Sequence, residues 1–146
     1  MELGGDAPFL VFDDADLDEA LEGTVFAVAC SARSRAVAVP ALDAHAAVRR
    51  LAVVAMTQPV ALVFGNETSG LSTEQVNRCQ LLAYIPTGAE LGSLNLAAAV
   101  QVMAYELRMA LRTAAPASLP NRRPSAAIRT EPLPVQAVSH EAISRP

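Results

Sequence analysis

Three short apolar runs, each ending in a loop of small and polar residues, constrain this chain more than any other feature. The clearest run is Ala61-Leu-Val-Phe-Gly-Asn-Glu-Thr-Ser-Gly-Leu-Ser72, with Ile85-Pro86 and Ser93-Leu-Asn95 following it. It reads as a buried strand, a glycine-bracketed loop carrying one carboxylate, and a short helix. A second strand then leads to another glycine-containing loop that opens a long helix. Two loops at the ends of neighbouring strands can build a pocket for a small ligand.

The rest of the pattern supports this alternation. Asp16 can cap a short helix, with Glu19 three residues on and Gly23 to end it. Residues 24–30 form an apolar run of strand length, and Ser31-Ala-Arg-Ser-Arg35 leaves it as a polar loop. Asp43 is a candidate cap for a helix from Ala44 to about Met56, which Gln58-Pro59 breaks. Residues 60–64 then make the next strand. Ser72 and Gln75 form a capping box for a helix to about Cys79, and residues 81–85 are another buried strand closed by Pro86. The last helix is expected to start at Ser93, as its cap, and to run to about Thr113. Leu96, Val100, Met103, Leu107 and Leu111 lie on one stripe of it. Strands alternating with helices predict an α/β domain, a parallel sheet with helices packed on both faces. From Ala114 the pattern stops, and six prolines punctuate the remainder, which reads as a disordered tail.

Composition narrows the function classes. The 146 residues have room for one domain, and half are apolar, enough for a core. The net charge of −4 predicts no bulk attraction to nucleic acid, but eight of the fifteen acids lie in the first 22 residues. The remainder is mildly basic, so an RNA partner stays open. All 11 basic residues are Arg, which grips phosphate in a planar fork, although genomic base composition explains the same bias. Cys30 and Cys79 lack the spacing of a zinc or redox pair, so reduced thiols in a cytoplasmic protein are expected. No apolar run approaches a membrane span, His45 and His140 have no plausible metal partner nearby, and no phosphate-cradling or nucleophile-elbow motif occurs.

Read from local physics alone, each loop has two explanations. Gly65 leaves room for a ligand to approach the backbone, and Glu67 stands where ligands bind in open α/β sheets; a tight turn with Glu67 in solvent accounts for both equally well. Gly92, Ser93 and Asn95 open a helix whose free N–H groups can hold a polar ligand atom, or they simply satisfy the helix end. Arg33 and Arg35 can grip phosphates, or they are solvated.

Residues 62–72, Ile85-Pro86, and Ser93-Leu-Asn-Leu-Ala97 through Ala104-Tyr-Glu106 resemble the last two signature motifs of SPOUT-class RNA ribose 2′-O-methyltransferases. Ser31-Ala-Arg-Ser-Arg35 and the continuation from Ala99 to Ala110 resemble the branch acting on a pyrimidine ribose of the tRNA anticodon loop. The match runs in order over roughly residues 10–112. It implies a trefoil-knotted domain, a cytoplasmic homodimer with each site completed at the interface, tRNA as substrate, and S-adenosylmethionine as cofactor. Carried over by motif, Cys30, Ser31, Ala32, Gly65, Ile85, Gly92, Ser93 and Leu94 contact the cofactor. Ser93 and Asn95 place the reacting hydroxyl, Glu67 orders the site, and Arg33 and Arg35 contact RNA phosphates.

One departure qualifies the resemblance. Members begin with a strand-helix-strand unit carrying an Asn-x-Gly…Arg motif, and nothing here matches it. The expectation is therefore a methyltransferase domain over 1–114 lacking its first unit, with apolar strand surface exposed, and a Pro-rich tail over 115–146. A non-catalytic cofactor- or RNA-binding module, or a gene fragment, is the alternative.

Overall fold

Five strands form one parallel sheet, and their burial follows their place in it. The computed structural model describes residues 8–12, 14–32 and 37–115. In chain order the elements are β1 (Phe9–Phe12), α1 (Leu17–Ala20), β2 (Phe26–Cys30), β3 (Ala41–Asp43), α2 (Ala44–Ala55), β4 (Val60–Phe64), α3 (Thr73–Asn77), β5 (Leu81–Tyr84) and α4 (Leu96–Ala114). The sheet order is β1-β4-β2-β5-β3, so two strands late in the chain each slot between earlier ones. Every residue of β4 is buried, as expected for the middle of a sheet covered on both faces.

Alternation along the strands sorts the core into two layers. Val28, Val60, Leu62, Phe64, Leu81 and Ala83 face α2 and α4, while Ala27, Ala29, Ala61, Val63 and Leu82 face α1 and α3. Helix α2 buries Ala44, Ala47, Val48, Leu51, Ala52 and Ala55, a helical-period stripe whose small residues allow close approach to the sheet. The stripe expected on α4 packs into the same layer, with Met103 and Leu107 buried and Leu96, Val100 and Leu111 against them. Across the outer side of this pair, His45 Nδ1 lies 2.9 Å from a Glu106 carboxylate oxygen. Helices on both faces of a parallel sheet match the expected architecture.

Two strands carry no clear sign in the sequence. Both are edge strands. β1 has four residues beside Pro8 in the acidic segment, and β3 has three with no β-branched or aromatic residue. Their hydrogen bonds to β4 and β5, rather than local propensity, hold them extended. Between them the other strands agree closely with expectation, β2 beginning at Phe26 and β5 ending at Tyr84. The capping box also forms in full: the Gln75 N–H donates to Ser72 Oγ (3.1 Å), and the Ser72 N–H to Gln75 Oε1 (2.8 Å).

The start of α4 needs correction. Asn95, not Ser93, is its N-cap, accepting the Ala98 N–H on Oδ1 at 2.8 Å, and the helix begins at Leu96. Either side chain can cap a helix, but the loop before α4 is held by a turn in which the Ser93 N–H donates to the Leu91 carbonyl. That turn keeps the backbone out of the helical path until Asn95. The tail expected over 115–146 lies, apart from Ala115, outside the described residues, as do Arg33 and Arg35.

Candidate functional site

Because all five strands are parallel, their C-terminal ends share one edge of the sheet, and the loops leaving β2, β4 and β5 meet there. They enclose a cavity of about 160 Å³. Its floor is apolar, made by Phe64, Ala83, Ile85, Leu96 and Met103. Polar groups ring the opening: Ser31 from the first loop, Asn66, Glu67 and Thr68 from the second, Ser93 and Asn95 from the third. An apolar floor with a few converging polar groups is the usual make-up of a small-molecule site.

Each loop is shaped by a local cause. After β2, the Ser31 N–H donates to the Ala83 carbonyl (3.0 Å), which ties the first loop to β5. After β4, the chain turns so tightly that a Cβ on Gly65 would lie 2.2 Å from both the Gly70 carbonyl carbon and the Leu71 nitrogen. The side of Gly65 on which a Cβ would stand is thus filled by the loop's own backbone, and glycine is what permits the turn. Asn66 then organises the loop interior, its Oδ1 accepting from the Thr68 N–H (3.0 Å), the Ser69 N–H (2.7 Å) and the Ser69 hydroxyl (2.9 Å). Glu67 is left exposed at the rim with no partner among the described residues.

Of the residues singled out from the sequence, Cys30, Ser31, Ala32, Gly65, Glu67, Ile85, Ser93, Leu94 and Asn95 all line this one cavity. Gly92 does not; it sits one residue back, at φ +59°, where the third loop reverses. Sequence reasoning missed Asn66, Phe64 and Met103. The signal for Phe64 was available, since it continues the alternation of Val60 and Leu62 to the strand end. Asn66 was hidden because an Asx-type loop looks like any polar loop until its bonds are formed.

The thiol at the cavity floor is inert. Burial, and then the neighbouring Cys79, push the Cys30 thiol far above its usual range, so it stays protonated and non-nucleophilic. Cys79, buried in the opposite layer, is pushed up to about 11 by burial alone. An unfolded thiol ionises near its ordinary value of 9.0, so above that pH the unfolded chain holds fewer protons than the folded one. Stability is expected to be insensitive to these thiols below pH ~8 and to fall by about 1 kcal/mol per pH unit from Cys79 between ~9 and ~11. Denaturant melts across this range check the slope, and Cys79→Ala should make it shallower by that amount.

The comparisons with known proteins fit this geometry. A model of the SpoU rRNA Methylase family matches residues 14–105, which includes all three loops. The chain belongs to that family. It is 48% identical over 95 residues to the tRNA (cytidine/uridine/adenosine-2′-O-)-methyltransferase TrmJ of Pseudomonas aeruginosa (strain UCBPP-PA14), covering 64% of this chain and 37% of that protein. To the tRNA (cytidine/uridine-2′-O-)-methyltransferase TrmJ of Escherichia coli (strain K12) it is 48% identical over 94 residues, 64% of this chain and 38% of that one. Among solved structures, a methylase-family protein from Neisseria gonorrhoeae superimposes with a TM-score of 0.60 at 40% identity, over 75% of this chain and 50% of the other. TrmJ from Z. mobilis ZM4 superimposes with a TM-score of 0.54 at 30% identity, over 61% and 39%. This SpoU-family chain therefore spans under two fifths of the length of the curated relatives it matches. Among the described residues no helix is long and apolar enough to cross a membrane.

Proposed function

We propose that this chain forms the cofactor-binding part of an S-adenosylmethionine-dependent RNA 2′-O-methyltransferase. Its favoured substrate is a pyrimidine ribose in the anticodon loop of tRNA. The observation that carries the reading is the cavity at which the three loops converge. Its make-up suits the cofactor: an apolar floor for an adenine ring, and rim backbone and hydroxyl groups for a ribose and an amino-acid end. A protonated thiol also makes a poor competing methyl acceptor. Cys30, Ser31, Ala32, Gly65, Ile85, Ser93 and Leu94 would hold the cofactor, with Gly92 setting the path of the third loop. S-adenosylmethionine supplies an electrophilic methyl group on a sulfonium centre.

The remaining chemistry falls to the chain's own side chains. Near-attack placement of the ribose oxygen and removal of its proton are the two requirements. Asn95 uses one lone pair of its carbonyl oxygen on the Ala98 N–H, which orients the amide as a cap and leaves Nδ2 to donate toward a substrate oxygen. Ser93 Oγ has no partner among the described residues and can donate or accept. Glu67, the carboxylate among the described cavity-lining residues, would order the rim. Arg33 and Arg35, next after the first loop's described residues in sequence, would contact RNA phosphates.

Several finer features belong to the same proposal. The methyltransferase domain covers 1–114, and α4 is threaded through the preceding loops as a trefoil knot, a rare topology. What supports the knot is the sheet order, in which late strands enter between earlier ones. The working form is a cytoplasmic homodimer, supported by the apolar Tyr105 and Met109 left exposed on α4.

Calorimetry with S-adenosylhomocysteine tests the reading. The wild-type chain should bind, and Gly92→Trp should not, because a side chain at φ +59° strains the third loop. Transfer of labelled methyl from S-adenosylmethionine to tRNA then tests the reaction. A folded chain that binds no S-adenosylhomocysteine would overturn the cofactor assignment; binding without transfer to any tRNA would favour a non-catalytic module.

A further inference from the structure

Residues 87–92 connect two parts of the cavity wall, since Thr87 on one side and Ser93 on the other both line it. Among the described residues the hydrogen bonds of this loop are all internal. Thr87 Oγ1 donates to the Gly92 carbonyl (3.3 Å), the Leu91 N–H to the Gly88 carbonyl (3.0 Å), and the Ser93 N–H to the Leu91 carbonyl (2.6 Å). Among the described residues none outside 87–93 bonds to it. A Cβ built on Gly88 or Gly92 would meet no atom within 4 Å, so no neighbouring element leans on either glycine. Among the described residues the loop is braced within itself by hydrogen bonds and tied to no neighbour by one, which lets it turn as a unit about its ends.

Leu91 stands at the tip of this unit and is 70% exposed, more than any other large apolar side chain among the described residues. Its loop joins two lining residues of a cavity of only about 160 Å³. Pockets for small organic ligands begin near ~300 Å³. A ligand of cofactor size would therefore project past the present rim, where the loop between Thr87 and Ser93 is one of its neighbours. A ligand moves a loop only through contacts it makes better in one position than the other, and Leu91 is the apolar side chain able to supply them.

We propose that residues 87–92 form a flap that closes over the bound cofactor, with Leu91 as an apolar contact made only in the ligand-bound state. The flap rests on the cofactor reading above and adds a gating element to that site.

The chain contains no Trp, so Leu91→Trp introduces a single fluorescent reporter at the flap tip. On saturation with S-adenosylhomocysteine its emission should shift to the blue and its quenching by acrylamide should fall. Leu91→Ala should bind the same probe about tenfold more weakly, with an unchanged thermal midpoint in its absence. An unshifted Trp spectrum at calorimetric saturation would overturn the flap while leaving the cofactor site standing. So would Leu91→Ala binding within about twofold of wild type. If the folded wild-type chain binds no S-adenosylhomocysteine, the cofactor reading falls and the flap with it.

Discussion

Gly65→Ala is expected to lower stability by about 3 kcal/mol or more and to abolish S-adenosylhomocysteine binding. The added Cβ would lie 2.2 Å from two backbone atoms, Gly70 C and Leu71 N, and neither can swing aside as a side-chain tip would. To admit it, the loop 66–71 must move away from the end of β4. That would break the Asn66–Gly70 bridge and shift Leu71, which is buried against the α1/α3 layer. For a domain of this size the thermal midpoint should fall by about 10 °C or more. Gly70→Ala provides the contrast. Its φ is +67° and its Cβ would meet open space, so its cost is conformational alone, about 1–2 kcal/mol. Melts of the two variants separate a steric requirement from a backbone one. Equal losses would mean that the turn at Gly65 is looser than its geometry implies.

That contrast shows how much of the site can be read from residues in order. The two glycines were legible as a bracket around Glu67, because glycine next to a strand-length apolar run marks a turn whatever the fold. Their different reasons were not legible. The contact between Gly65 and Leu71 depends on how far the loop folds back, and Asn66 sets that by gathering three donors onto one oxygen. The same limit applies to the start of α4. Ser93 and Asn95 are both good caps, and the choice between them rests on the turn at Leu91, which is a property of the whole loop. Central strands were plain from apolar run length, since burial on both faces leaves no polar positions. The edge strands β1 and β3 were not, because they are extended only through their neighbours. Strand order was equally out of reach: nothing local says that β4 should enter between β1 and β2.

Phe64→Ala should produce the largest loss among single core truncations at the site, about 3–5 kcal/mol, together with loss of probe binding. Phe64 closes β4 at the cavity, is only 2% exposed, and lies in register with Phe12 on one side and Cys30 on the other. Its ring packs in the α2/α4 layer and stacks on Phe12, with centroids 5.8 Å apart and planes inclined at 27°. Removing it leaves a void under the cavity floor and takes from the edge strand its main apolar neighbour. Phe12 is itself 37% exposed, so Phe12→Ala should cost far less, about 1 kcal/mol. The two rings are coupled, and a double-mutant cycle should return an interaction of about 0.5–1.5 kcal/mol. Phe64→Leu keeps most of the packing volume while losing the stack. It should recover the greater part of the stability and retain measurable binding, because the floor needs an apolar surface more than it needs a ring. If Phe64→Leu instead matched Phe64→Ala in both respects, the aromatic contact to β1 would be what holds the floor in place, and the edge strand would count as part of the site.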